Sequence, residues 1–297
     1  MLVTGAGGKT GRALIRALLA RGARVRAVVR SVARHADLAD GDIEVVGADQ
    51  RDVAALAAAL DGCDVAYAIA PNVSEHEIEM GAAIVEAASR AGVPRLVYHS
   101  VIHPQLLAMP HHADKARVEE VVIESGADWT ILQPNAYLQN LAGYLDQLRG
   151  GVYPVPYATD RGSAMVDLGE VAEVAAHCLL DDVGVHGTFE LSGPAEVTPE
   201  DVAAAASRLL DVEVVARRQD PDDWAAAATS VPARARGRLH AMFRHYDQHG
   251  STGDATVLRC LLGREPRGLD AVLAELLGGG PAAADAADPP GAPDRAG

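Results

Sequence analysis

Through the first half of the chain, short apolar runs alternate with longer stretches whose apolar residues recur every three or four positions. This is the pattern of strand–helix–strand units feeding a parallel sheet. Leu2-Val3 reads as the opening strand, and a helix follows from about Gly11 with Leu14, Ala17 and Leu18 on one face. Val25 to Val29, Ile43 to Val46, Val65 to Ile69, Leu96 to His99 and Thr130 to Leu132 read as further strands, each beside an Ala-rich helical stretch. Crossovers between parallel strands cover both faces of the sheet, so the expected class is α/β with a doubly wound parallel sheet.

Beyond about Gly151 the pieces shorten, beginning with the Pro-punctuated Val152-Tyr153-Pro154-Val155-Pro156. A first domain is therefore expected over 1–150, joined by elements returning from the C-terminal half, with a smaller α+β lobe over 151–277. Thr188 to Leu191 reads as a strand in that lobe. Thr198-Pro199-Glu200-Asp201 reads as a helix start, with a capping Thr, Pro at the first helical position and an acid at the third. Helices are expected to continue to about Leu277. Gly278 to Gly297 hold no Leu, Ile, Val, Met or aromatic residue, so a disordered tail is expected there.

Charge narrows the class of partner. The 297 residues carry 26 Lys plus Arg against 41 Asp plus Glu, a formal charge of −15, which argues against direct nucleic-acid binding because that affinity comes from neutralising phosphates. Cys63, Cys178 and Cys260 are odd in number and widely spaced, which suggests neither a disulfide framework nor a zinc knuckle and fits a reducing cytoplasm. Cys178 is expected to be buried as a small hydrophobe. No apolar run reaches the length of a membrane span, and the strand begins directly at Met1-Leu2-Val3, so neither a span nor a signal peptide is expected.

Between the opening strand and its helix stands Thr4-Gly5-Ala6-Gly7-Gly8-Lys9-Thr10-Gly11, where backbone N–H groups and the helix dipole make an anion site. Two nucleotide folds compete for this loop. Gly8-Lys9-Thr10 ends like a P-loop, but that motif needs glycine where Val3 stands and more strand ahead of it. Gly5, Gly8 and Gly11 instead match a G-x-x-G-x-x-G dinucleotide fingerprint. In it, Gly5 makes the tight turn, Gly8 admits a pyrophosphate and Gly11 lets the helix close on the strand. The sheet is then of Rossmann type, with Ala6, Gly7, Lys9 and Thr10 completing the cofactor loop. From Met1 to Ala36 there is no acidic residue and eight basic ones, a local preference for a polyanion. Arg12, Arg16 and Arg21 are expected on the solvated helix face. Arg30 closes the second strand, where NAD-preferring proteins place an acid; an Arg there holds the 2′-phosphate of NADP, with Arg34 as a second contact.

Several stretches together with this loop carry a resemblance. Val25 to Arg30, Gly47-Ala48-Asp49-Gln50, His111 to Glu120, Ser125 to Pro134 and Tyr137-Leu138-Gln139-Asn140 resemble the NmrA-like group of atypical short-chain dehydrogenases/reductases, over roughly residues 1 to 277. The resemblance implies that Asp49 and Gln50 border the adenine and that Ala70, Pro71 and Asn72 line the middle of the cofactor. It also implies that Tyr137 to Asn140 cover the nicotinamide and that Lys115 bonds the nicotinamide ribose. Plainer readings stand beside these: Asp49 as a turn residue, Tyr137 as core filling, and Lys115 as a surface partner of Glu119.

Ordinary short-chain dehydrogenases use Tyr-x-x-x-Lys, whose phenol transfers the proton. No tyrosine here precedes a lysine by four; His111 stands in that place, one helical turn before Lys115, with Ser100 at the serine's place. Ser100, His111 and Lys115 could relay protons, or His111 could shape the pocket only; the neighbouring cation favours the second. Without a phenol, a quinone-like acceptor that spreads charge through its ring suits the chain better than a simple carbonyl. The leading expectation is an NADPH-dependent reductase of a small conjugated acceptor. The rival is an NADP(H)-binding redox sensor without turnover, acting through a protein partner; a homo-oligomer is also open. His99, His103, His111 and His112 suggest a metal only weakly, since adjacent helical histidines should diverge and no carboxylate or Cys joins them at ligand spacing, so no metal is expected.

Overall fold

The computed structural model describes residues 1–39, 41–181 and 183–279, so the tail expected from Gly278 lies, past Gly279, outside the described residues. The strands are β1 (Leu2–Val3), β2 (Val25–Val29), β3 (Ile43–Gly47), β4 (Val65–Ala68), β5 (Arg95–His99), β6 (Asp128–Pro134), β7 (Val152–Val155), β8 (Gly187–Leu191) and β9 (Val215–Arg218). Seven of them form a mostly parallel sheet in the order β3-β2-β1-β4-β5-β6-β8. The short β1 is held on both edges, Val3 pairing with Ala27 of β2 and Tyr67 of β4. Strand order reverses beside β1, and in doubly wound sheets ligands bind at the carboxyl ends of the strands at such a point.

Four helices position the site: α1 (Lys9–Leu19), α2 (Val53–Leu60), α3 (Glu77–Ala91) and α4 (Pro110–Ile123). The Asp52 carboxylate accepts the N–H groups of Ala54 and Ala55 to start α2, and Gly92 at φ +68° ends α3. Leu2, Leu56, Leu60, Leu96, Tyr98 and Ile131 share one buried core with Ile84 and Val118. Gly81 of α3 lies against Val118 of α4 so closely that a Cβ would come within 2.3 Å of the valine Cγ1.

The chain forms two compact units: the first comprises residues 1–105, 111–133 and 171–189, the second 106–110, 134–170 and those from 190 onward. The second unit has its own core of Leu138, Leu148, Tyr153, Val202, Leu273 and Leu276. Its helix Pro199–Leu210 starts at a reciprocal cap between Thr198 and Asp201. Helices continue as expected to Leu277, where the helix Leu269–Leu277 ends, but an unexpected strand lies among them: β9 pairs in parallel with β7, Val152 opposite Val215. Val215, Arg217 and Arg218 are exposed, so this edge strand lacks the alternating apolar signal that would have revealed it.

Candidate active site

The glycine loop is built for close backbone approach. Thr4 fastens it to the end of β4, its hydroxyl donating to the Ile69 carbonyl and accepting the Ile69 N–H, both at 2.9 Å. Gly5 turns at φ +56°, and a Cβ there would sit 2.9 Å from the Ile69 carbonyl oxygen. At Gly11 a Cβ would sit 2.4 Å from the Gly5 carbonyl oxygen, so only glycine lets α1 settle on the turn. Gly8 differs: it is exposed, and a Cβ would meet only the Gly5 carbonyl oxygen, at 3.4 Å. It also caps α1 without a side-chain hydrogen bond, and the first turn has no acidic residue. Open backbone at an uncapped helix start is a cradle that fits a pyrophosphate.

The ends of β2 and β3 flank that cradle. Arg30 and Arg34 are exposed, the first just after β2 and the second in the short 3-10 helix Val32–Leu38 that follows. The charge of Arg30 reaches Asp49, whose carboxyl is lowered to about 2, chiefly by hydrogen bonds from the Arg51 side chain and backbone. Asp49 thus already serves as a turn residue gripping Arg51 at 2.7 Å. Turned so that each end meets a complementary partner, the Gln50 amide donates to the Ile69 carbonyl at 3.1 Å and accepts the Gly5 N–H at 3.2 Å, bracing the glycine turn. Arg12 departs from the solvated face expected of it. Its Nε donates to the Gly7 carbonyl at 3.1 Å and its Nη1 to Asp37 at 2.6 Å, while Arg16 remains exposed and Arg21 pairs with Asp181 near the surface. The His35 ring lies on Gly7, where a Cβ would come within 2.5 Å of its Cε1. After β4, Ala70 and Pro71 are half-buried and Asn72 is exposed. Two loop residues at this end of the sheet hold left-handed backbones, Val73 at φ +50° and His103 at φ +49°. Such conformations cost about 1–3 kcal/mol each and gather at functional sites.

Helix α4 brings His111, Lys115 and Glu119 onto one face at intervals of one turn. The plainer reading, a surface pair of Lys115 with Glu119, is not what forms. Lys115 Nζ donates to Glu77 Oε1 of α3 at 2.9 Å and to the His99 carbonyl at 3.1 Å. Tyr98 donates its hydroxyl to the same Glu77 oxygen at 2.9 Å, and burial followed by the Glu77 charge holds that phenol well above its ordinary pKa. Glu119 instead accepts hydrogen bonds from the Ser100 hydroxyl and, at 2.8 and 3.0 Å, from the Gln133 amide. Burial raises its carboxyl above the usual range, against the lowering by those hydrogen bonds and by Lys115.

The histidines nearby are buried in different surroundings. Burial and then the Lys115 charge lower His99 to about 3, so its ring, hydrogen-bonded to the Tyr67 hydroxyl, is neutral. His111 and His112 are both buried with their rings edge to face at 4.6 Å, contrary to the expectation that they diverge. Among the described residues no three His, Cys, Asp or Glu side chains gather as a metal site. The sequence alone does not mark Glu77, Glu119 or Gln133 as site residues. Glu119 carried a signal in its i, i+4 spacing from Lys115; Glu77 lies on another helix and carried none.

In the second unit, Tyr137 and Asn140 are half-buried, while Leu138 and Gln139 are buried. The Gln139 amide is engaged at both ends, donating to Asp167 at 2.8 Å and accepting the Leu168 N–H at 2.9 Å. Leu138 packs in the core, its N–H donated to the Val166 carbonyl. Cys178, in the first unit, is buried, and burial raises its thiol to about 11.

With this geometry in view, comparison with known proteins gives the family. The model of the NmrA-like family matches residues 1–274. The chain belongs to this family. It is 29% identical over 213 residues to an NAD(P)H azoreductase of Xenophilus azovorans, covering 70% of this chain and 72% of that protein. Over 233 residues it is 28% identical to quinone oxidoreductase 2 of Escherichia coli, covering 77% of this chain and 81% of that one. A crystal structure of an NADPH-dependent quinone oxidoreductase from Escherichia coli complexed with NADPH matches with a TM-score of 0.83 and 25% identity, covering 93% of this chain and 99% of that one.

Proposed function

We propose that this chain is a reductase that binds NADPH in preference to NADH and passes hydride to a small conjugated acceptor such as a quinone. The observation that carries the reading is the glycine cradle: Gly5 and Gly11 closed against backbone, Gly8 open at the uncapped start of α1. The azoreductase and quinone oxidoreductase relatives support the reaction class. A bound nicotinamide would supply the hydride. The chain's part is binding and orientation: the first-turn N–H groups of α1 hold the pyrophosphate, and Gln50 keeps the Gly5 turn in shape for it. Arg30 and Arg34 hold the 2′-phosphate, since a guanidinium donates to phosphate in a two-pronged fashion. Lys115, fixed by Glu77 and the His99 carbonyl, keeps an ammonium donor at the carboxyl end of β5 for a ribose hydroxyl.

NADPH consumption with a panel of quinones, azo dyes and simple ketones tests this. Turnover with conjugated acceptors and little with ketones is expected. Tight cofactor binding with no turnover on any acceptor would favour the non-catalytic sensor, a reading to which the missing tyrosine ahead of Lys115 lends its one support.

A further inference from the structure

A neutral conjugated acceptor that takes up hydride becomes an anion, and a quinone needs a proton at its oxygen to finish. The phenol that supplies it in ordinary short-chain dehydrogenases is absent, yet a carboxyl group stands one hydrogen bond behind Ser100. Glu119 reaches back from α4 to the end of β5, where the Ser100 hydroxyl donates to its Oε1 and the Gln133 amide to both its oxygens. Lys115, the cation on the same helix, is committed to Glu77. The groups facing Glu119 are thus Ser100 just after β5 and the neutral Tyr98 phenol in it, Gln133 from β6 and Lys115 from its own helix, with Glu77 of α3 beyond that ammonium.

We propose that Glu119 is the proton reservoir of the reaction, delivering through the Ser100 hydroxyl to the reduced acceptor. This rests on the reductase reading above. When Glu119 is ionised, it draws the Ser100 proton inward; when protonated, it donates to Ser100 Oγ and frees the serine proton for another acceptor. The two electrons arrive with the hydride of the nicotinamide cofactor. The acceptor's oxyanion forms its O–H bond with the proton leaving Ser100, and Ser100 re-forms its own with the proton leaving Glu119. A carboxylate remains, which water reprotonates between turnovers. Burial favours the protonated reservoir, as the raised carboxyl of Glu119 indicates. Ser100 would touch the acceptor; Glu119 acts through it.

The test compares two acceptors in the wild type, Glu119→Gln and Ser100→Ala. A quinone needs a proton after hydride transfer, whereas a cationic triarylmethane dye is neutralised by hydride alone. The expected result is a fall of tenfold or more in the quinone-to-dye rate ratio in both variants, and loss in Glu119→Gln of the alkaline decline in the quinone pH profile. Calorimetric NADPH affinity should stay within threefold in both. Thermal melting gives a reading independent of turnover. A carboxyl raised by folding contributes stability fully below its unfolded pKa and loses it as pH rises through the folded value, so the wild type should lose melting temperature relative to Glu119→Gln over that window. An unchanged ratio with the alkaline limb retained, or parallel melting curves, overturns the proposal alone. No turnover of either acceptor by the wild type overturns the reductase reading and this one with it.

Discussion

On the proposed reading, single residues set which nicotinamide cofactor is preferred and how tightly it is held. Arg30 is exposed at the end of β2, and hydrogen bonds from a charged donor contribute roughly 1.5–3 kcal/mol, so Arg30→Ala should weaken NADPH about 10- to 100-fold and NADH little, by equilibrium titration. An equal loss for both would remove the basis of the preference. Gly11 makes an independent point: a Cβ 2.4 Å from the Gly5 carbonyl cannot be accommodated without shifting the turn or the helix. Gly11→Ala should therefore lower stability by about 1–3 kcal/mol in denaturant unfolding and weaken both cofactors together. His111 is a buried ring packed on His112, so His111→Phe should leave acceptor reduction largely intact. If that variant binds cofactor but cannot turn over, His111 moves the proton and Glu119 does not.

Elements set where those residues stand. The buried link between α3 and α4 is the pair of Glu77 and Lys115, with side chains 4% and 13% exposed. Removing one partner strands the other charge, so Glu77→Ala should cost about 3–5 kcal/mol, and adding Lys115→Met should recover part of it, measured by chemical denaturation. Additive losses would mean that the two do not act as a pair. This link also shows what the sequence could and could not reveal. The glycine spacing and short apolar runs exposed β1 to β6, because those strands are short, apolar and bounded by turns, and all but the half-exposed β3 are mostly buried. The cap at Thr198 and Asp201 was equally plain, since both halves lie within one turn. Which acid Lys115 meets was not readable, because Glu77 comes from another helix and local spacing pointed to Glu119. β9 was not readable either, because its residues are mostly exposed and its partner β7 lies far back in the chain.

At the scale of the whole molecule, a chain of formal charge −15 carries eight basic and no acidic residues from Met1 to Ala36, of which Lys9 lies in the glycine loop and Arg12 bonds to it, while Arg21 and Arg26 pair with Asp181 and Glu44. A net negative protein repels a polyanion at long range, so affinity has to come from that local geometry, and it should respond to salt less than a broadly basic surface would. Calorimetric titration of the purified chain with NADPH and with NADH is the most direct measurement of the account. It predicts saturable one-to-one binding of both, with NADPH tighter by at least tenfold. Absence of measurable heat or saturation with either nucleotide would contradict it.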